Sequence, residues 1–233
     1  MDRFRHTALA TVALAASAIL LSACGRNSVD VVNGKTQFVN KCGACHTLAR
    51  AGTKGIQGPN LDHAFVQDRR DGMTAKTVEG VVVHQIAYPR RGSIMPADLV
   101  TGQDATDVAA YVGQAAGIPG QDQGALAAAG KANTSNKPIA AKGGTLSIAA
   151  IDGTAYISTQ ATAPAGQLTV KMPNKSSLGH DIGLKGVSGA QGKVVPQGGT
   201  STFTVTLKPG KYTYFCSVPG HEAAGMKGTL TVK

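Results

Sequence analysis

The apolar residues of this chain change period at Gly144. Before it, stretches such as "AKTVEGVVVHQIAY" and "TGQDATDVAAYVGQAAG" repeat apolar side chains at helical spacing. After it, "TLSIAA", "TAYIST", "QLTVKM", "STFTVTL", "KYTYF" and "GTLTV" alternate or cluster β-formers, with turns at "PQGG" (196–199) and "KPGK" (208–211). A helix buries a stripe and a strand buries a face, so the two halves need separate cores. A length of 233 residues suits one or two domains, and the change of period selects two. Residues 31–117 are expected to be helical, and residues 144–233 to form a β-sandwich of roughly six to eight short strands. In the sandwich Leu168, Val170 and Met172 should share a face, as should Phe203, Val205 and Leu207. Residues 118–143 are rich in Gly, Ala, Pro, Asn and Gln without a sustained apolar pattern. They are expected to be a flexible linker, with a short Ala-rich helix over 124–132 as the alternative.

The N-terminus has the form of an export signal. Arg3, Arg5 and His6 precede an apolar run from Ala8 to Leu21, too short for the ~20 residues that span a bilayer. The run ends in "LSAC", which resembles the bacterial lipobox. That likeness implies a signal peptide over residues 1–23, cleavage before Cys24 and a lipid on Cys24. Cleavage near Ala23 without lipid, or an uncut anchor, are the alternatives. The formal net charge is +10. Residues 24–117 hold ten Lys or Arg against eight acids, whereas residues 118–233 hold eleven Lys, no Arg and four acids. A Lys-only field steers acidic partners diffusely and lacks the Arg forks of bidentate recognition. With few aromatic residues and no nucleic-acid motif, nucleic acid is not an expected partner.

The cysteines are 24, 42, 45 and 216. "CGACH" (42–46) is C-x-x-C-H, the attachment signature of c-type haem. Two thiols on one helical turn can add to the two vinyl groups, and the adjacent imidazole reaches the iron from the same side. A Cys42–Cys45 disulfide or redox pair is the alternative, but no strand leads into the pair. A zinc knuckle would need a second ligand pair, and residues 31–117 hold no further cysteine. Residues 31–117 resemble the class I cytochromes c throughout. The likeness rests on "GKTQFVNKCGACH", "GPNL" (58–61), "IMPADL" (94–99) and "DVAAYV" (107–112). It implies that Cys42 and Cys45 hold the haem, with His46 as proximal and Met95 as distal ligand. It further implies that the Pro59 carbonyl accepts the imidazole N–H, and that Gly34 and Phe38 pack against Tyr111. Met73, His63 and His84 are weaker candidates for the distal position, and Arg90 and Arg91 could pair with haem propionates.

"YFCSVPGHEAAGM" places Cys216, His221 and Met226 in one loop. Thiolate, imidazole and a weak thioether form the ligand set of a blue-copper site, which needs a second histidine. "NKSSLGHDIGL" supplies it as His180, and after residue 84 only His180 and His221 are available. Zinc is disfavoured by the thioether. The segment 144–233 resembles the cupredoxins, most closely the auracyanin and rusticyanin type with C-x4-H-x4-M. The likeness implies a trigonal plane of His180, Cys216 and His221 with Met226 as the long axial ligand.

The expected architecture is therefore multidomain. An all-α cytochrome c domain (24–117) and a linker (118–143) lead to an all-β Greek-key cupredoxin sandwich (144–233). One covalent haem c and one type 1 copper are expected. Neither ligand set leaves an obvious open position, and Phe215 and Ser217 flank Cys216 where copper enzymes of this fold carry a histidine. The chain is thus expected to be an electron carrier outside the cytoplasm, anchored to the membrane and facing the periplasm or the cell exterior. Its expected partners are respiratory: a quinol-oxidising complex and a terminal oxidase or reductase. The redox subunit of a nitrite reductase or oxidase, and copper storage or delivery, are the alternative functions.

Overall fold

The computed structural model describes residues 28–131 and 134–233. The signal segment 1–23 and Cys24 lie outside the described residues. Among the described residues, no helix is long and apolar enough to cross a membrane.

The N-terminal half is helical around a small apolar core. Helix α1 (Val31–Gln37) runs into a π-helical turn (Phe38–Cys42). A short hairpin of β1 (Thr47–Leu48) and β2 (Thr53–Lys54) follows. Helices α2 (Val66–Arg70), α3 (Ala75–Ala87) and α4 (Gly102–Ala115) complete it. The Thr74 hydroxyl caps α3 by accepting from the Thr77 N–H at 3.2 Å. Helices α1 and α4 cross at Gly34, where an added Cβ would lie 2.0 Å from the Asp107 carbonyl oxygen. Only glycine permits so close an approach. One turn on, Phe38 meets Tyr111 with ring centroids 6.2 Å apart, as the resemblance of this segment implies. Leu48, Ile86, Val108 and Val112 close this core.

The C-terminal half is a two-layer β-structure. One sheet has the order β10 (Thr200–Leu207), β8 (Gly166–Pro173), β4 (Thr145–Ser147). The other runs β3 (Ile139–Ala140), β7 (Gln160–Ala163), β12 (Lys227–Val232), β11 (Gly210–Phe215), β9 (Gly183–Leu184). A small ladder of β5 (Ala150–Ile151) and β6 (Ala155–Tyr156) lies beside them. Pairing is mixed: β8–β10 and β11–β12 are antiparallel, while β4–β8, β3–β7 and β7–β12 are parallel. Leu168, Val170 and Met172 are all buried, as their alternation predicts. On β10, Phe203 and Leu207 are buried, but Val205 is only half covered. Strand β10 ends the sheet order, so one side of Val205 has no neighbouring strand.

Among the described residues, 118–131 and 134–143 are not the flexible linker that their composition suggests. Asp122 is buried and bonded to three side chains of the helical half. Helix α5 (Gly124–Ala128) forms within the alanine run, and the Leu126 carbonyl accepts from Lys35 Nζ at 2.7 Å. Ser135 pairs with Ser158, and β3 joins the five-stranded sheet. A stretch without its own apolar pattern is ordered here because it borrows two existing surfaces: a buried ion cluster and an open sheet edge.

Candidate metal centres

The first centre is built on one helical turn. Cys42 closes the π-helical segment, and the N–H groups of Cys45 and His46 both donate to the Cys42 carbonyl, at 3.0 and 2.9 Å. Both thiols and the imidazole thus occupy adjoining places on a single turn, with both cysteines free. His46 Nδ1 lies 2.9 Å from the Pro59 carbonyl oxygen. That bond takes the proton on Nδ1 and leaves Nε2 as the free donor atom. An added Cβ at Gly58 would stand 2.5 Å from His46 Cε1, so the chain there passes directly against the ring. Met95 lies in the segment between α3 and α4 and packs against the same core as Cys42. Gln85 Nε2 approaches its sulfur at 3.7 Å. Ile56, between Gly55 against the attachment turn and Gly58 against the His46 ring, and Ile94, next to Met95 in the chain, remain 69% and 68% exposed, so apolar surface flanks both candidate ligands. A flat apolar group bound by thioethers would cover such surface, so the residues fit haem.

The other distal candidates sit differently. His63 and His84 are exposed, and His84 stacks on Tyr88 at 5.3 Å. Met73 is half-buried, and its carbonyl accepts from Arg69. Arg90 and Arg91 are exposed.

The second centre lies at one end of the sandwich. His180 stands between β8 and β9, bridged to Val195. Cys216 follows β11 directly, and Met226 immediately precedes β12. The Cys216 N–H donates to the Met226 carbonyl at 3.1 Å, and the Met226 N–H to the His221 carbonyl at 2.9 Å. These bonds fold the ligand loop back on itself. Gly220 and Gly225 take the positive φ values of 85° and 110° that the tight loop requires. His180, Cys216, His221 and Met226 are all buried.

Among the described residues, His180, Cys216 and His221 form the cluster of donors close enough to share a metal ion. Their donor atoms make a triangle. The two Nδ1 atoms are 3.1 Å apart, and Cys216 Sγ lies 3.8 Å from that of His180 and 3.5 Å from that of His221. Sides of that length put the centre of the triangle roughly 2 Å from each corner, close to ordinary metal–nitrogen and metal–sulfur bond lengths. At most one N–H can lie between the two facing nitrogens, so lone pairs converge on a point. The donor set fits a copper ion, with Met226 buried in the same core cluster.

Electrostatics favour neutral ligands before a metal enters. Burial pushes the Cys216 thiol up to about 12. Burial, and then the charge of His221, pulls His180 down to about 4; burial does the same to His221. Cys42 is raised to about 12 by burial and then by Cys45, against Lys41, and Cys45 is raised by burial. Uncharged imidazoles are ready acceptors for a cation, whereas Cys216 must give up its proton on binding.

A hydrogen-bond network behind the copper ligands escapes sequence inspection. The Asp181 carboxylate accepts from the Ser217 N–H at 2.7 Å, the Ser217 hydroxyl at 2.5 Å and Gln191 Nε2 at 2.6 Å. It ties the residue after His180 to the residue after Cys216. The only sequence signal is its place beside His180; its partners lie 36 and 10 residues away. Asp122, Lys35 and Arg50 are a second such group, described under the fold.

Comparison with known proteins separates the same two segments. Residues 31–116 match the family model "Cytochrome c", and residues 151–233 match "Copper binding proteins, plastocyanin/azurin family". Auracyanin-B of Chloroflexus aurantiacus is 58% identical over 36 residues, which cover 16% of this chain and 15% of that protein. The match thus spans well under two thirds of that curated relative. Among solved structures, the dithionite-reduced auracyanin of Roseiflexus castenholzii is 28% identical with a TM-score of 0.37, covering 40% of this chain and 99% of the other. An auracyanin B structure is 24% identical with a TM-score of 0.35, covering 43% and 93%.

Proposed function

From a chain that joins a cytochrome c domain over residues 31–116 to a copper-binding domain of the plastocyanin/azurin family over residues 151–233, we propose an exported, lipid-anchored carrier that passes single electrons between its two centres and on to respiratory partners. Electron transfer is the function of these domains. Covalent haem c and one type 1 copper are their cofactors, and the chain is an electron carrier rather than a catalytic enzyme. One-electron cycling is the chemistry the bound iron and copper supply; the protein holds their ligands still.

On this reading Cys42 and Cys45 would hold the haem through thioether bonds, and His46 and Met95 would supply its iron ligands. The Pro59 carbonyl holds the His46 ring in one orientation. His180, Cys216 and His221 would hold the copper, with Met226, buried in the same core cluster, as a further ligand. The observation that carries the reading is the buried triangle of Nδ1, Nδ1 and Sγ atoms. A cage already set by β11, β12 and the Asp181 network reorganises little when its charge changes. Support for export and the lipid comes from the apolar run ending in "LSAC" and Cys24. Support for acidic redox partners, such as a quinol-oxidising complex and a terminal oxidase or reductase, comes from the eleven Lys and no Arg of residues 118–233.

Redox titration of the purified holoprotein, followed optically for haem and by electron paramagnetic resonance for copper, should resolve two one-electron centres. Cys216→Ser should abolish the intense thiolate-to-copper absorption and leave the haem spectrum intact. Two coppers per chain, or a blue band surviving in Cys216→Ser, would overturn the assignment. Fatty-acid label on the wild-type chain, lost in Cys24→Ala, tests the anchor.

A further inference from the structure

The two ligand-bearing loops touch. An added Cβ at Gly220 would lie 3.0 Å from the Ala44 carbonyl oxygen and 3.3 Å from Gln57 Cγ. Gly220 immediately precedes His221, and Ala44 stands between Cys42 and Cys45. The backbone beside a copper ligand therefore packs on the backbone of the haem-attachment turn. A second contact lies close by. An added Cβ at Gly153, in the turn between β5 and β6, would stand 3.3 Å from Asn40 Oδ1 and 3.7 Å from Asn40 Cα. Asn40 belongs to the π-helical turn that ends at Cys42, and the Gly153 carbonyl accepts from Ser176 in the segment leading to His180. Each contact thus backs onto a ligand-bearing segment on both of its sides. Both copper-domain residues are glycines at positive φ, 85° and 71°, so no side chain holds the backbones apart.

The connection between the domains reinforces the contact. Lys35 Nζ, Arg50 and the Tyr111 hydroxyl all bind the buried Asp122 carboxylate, at 3.0, 2.7 and 2.8 Å. Gly130 lies against Val39, and Ser135 already pairs with Ser158 in the copper domain. The connection is thus fastened to the helical half through residue 130 and to the sandwich from residue 135. The residues between these two anchors reach roughly 15 Å when fully extended. A tether that short keeps the loops together at high effective concentration.

We propose that the copper-ligand loop and the haem-attachment turn are each other's docking surface, and that electrons cross between the two ligand sets at this seam while the domains stay packed. The proposal rests on the ligand assignment given above. One centre is oxidised as the other is reduced; no bond is made or broken, and no domain release is required. The copper loop's outer face at Gly220 is therefore used internally, and an external partner meets this chain elsewhere on its surface.

The test is a removable staple at the second contact, which replaces no ligand residue. In Asn40→Cys/Gly153→Cys the new side chains start within disulfide range. The holoprotein, full chain, should cross-link under mild oxidation. After flash reduction of the haem, the concentration-independent rate of copper reduction should be the same with the staple closed or open. Failure to cross-link in a holoprotein with intact haem and copper spectra overturns the docking. A closed staple that slows the exchange overturns the packed state as the working one. Absence of a concentration-independent phase in wild type would overturn transfer at the seam and the exchange between the two centres together, whereas cross-link yield reports on the docking alone.

Discussion

Asp181 is 1% exposed and accepts three hydrogen bonds. Its partners join the strand ends that carry His180 and Cys216, so the side chain fixes the relation of two ligands without touching the metal position itself. Asp181→Ala leaves the Ser217 N–H and the Gln191 amide without their acceptor in a buried setting. Losing hydrogen bonds to a charged group there costs about 3 kcal/mol, so the apo copper domain should unfold at distinctly lower denaturant. Asp181→Asn keeps the shape and an acceptor oxygen and should recover most of that loss. Equal midpoints for wild type and Asp181→Ala, followed by the tyrosine signal in urea, would show that the network bears no stability. Such a residue is poorly legible in sequence. Side-chain type and spacing mark Cys216, His221 and Met226 as candidates in the sequence, because chemistry restricts which side chains bind copper. Any of several polar residues could brace them, and the partners come from remote parts of the chain.

At the scale of elements, the crossing of α1 and α4 holds the haem-attachment turn in place. Helix α1 leads directly into Cys42, so any change in the crossing moves both cysteines. Gly34 is the contact point: its added Cβ would lie 2.0 Å from the Asp107 carbonyl oxygen. Gly34→Ala forces the two backbones apart and should destabilise the cytochrome domain by about 3 kcal/mol. Heating the holoprotein while following the haem absorption should show an earlier transition, with copper absorption lost at an unchanged temperature. Helices α3 and α4 and the main strands are readable from apolar period alone. The π-helical turn over Phe38–Cys42 and the short β5–β6 ladder are not, because elements this brief have no period to detect and exist through their tertiary contacts.

In the whole molecule, the Asp122 cluster fastens the connecting segment to the cytochrome core. Burial by itself would raise this carboxyl, but hydrogen bonds from Lys35, Tyr111 and Arg50, together with the Lys35 charge, hold it below its ordinary range. The unfolded chain therefore takes up a proton at higher pH than the folded one. Stability from this group is full above the unfolded value of ~3.9 and is lost as pH falls through the lower folded value. Asp122→Asn leaves Lys35 and Arg50 facing a neutral amide. It should cost about 3–5 kcal/mol at pH 7, the usual penalty for breaking a buried ion pair. Its urea midpoint should also change less than that of wild type between pH 5 and roughly 3. Parallel acid limbs in the two proteins would remove Asp122 from the acid response.

The sequence by itself determined the two domains and the residue types that carry the candidate centres. Apolar period reports on the local burial of each element, and the rare spacing C-x-x-C-H or C-x4-H-x4-M reflects ligands held within one turn or one loop. Tertiary structure alone decided that residues 122–130 are fastened to the helical half and residues 135–140 to the sandwich, that Gly220 rests on Ala44, and that Asp122 is buried among two cations. These depend on which surfaces meet after each domain has formed. A buried charge or a backbone contact through glycine leaves no periodic trace along the chain, because its partners are set by distance in space rather than by separation in sequence.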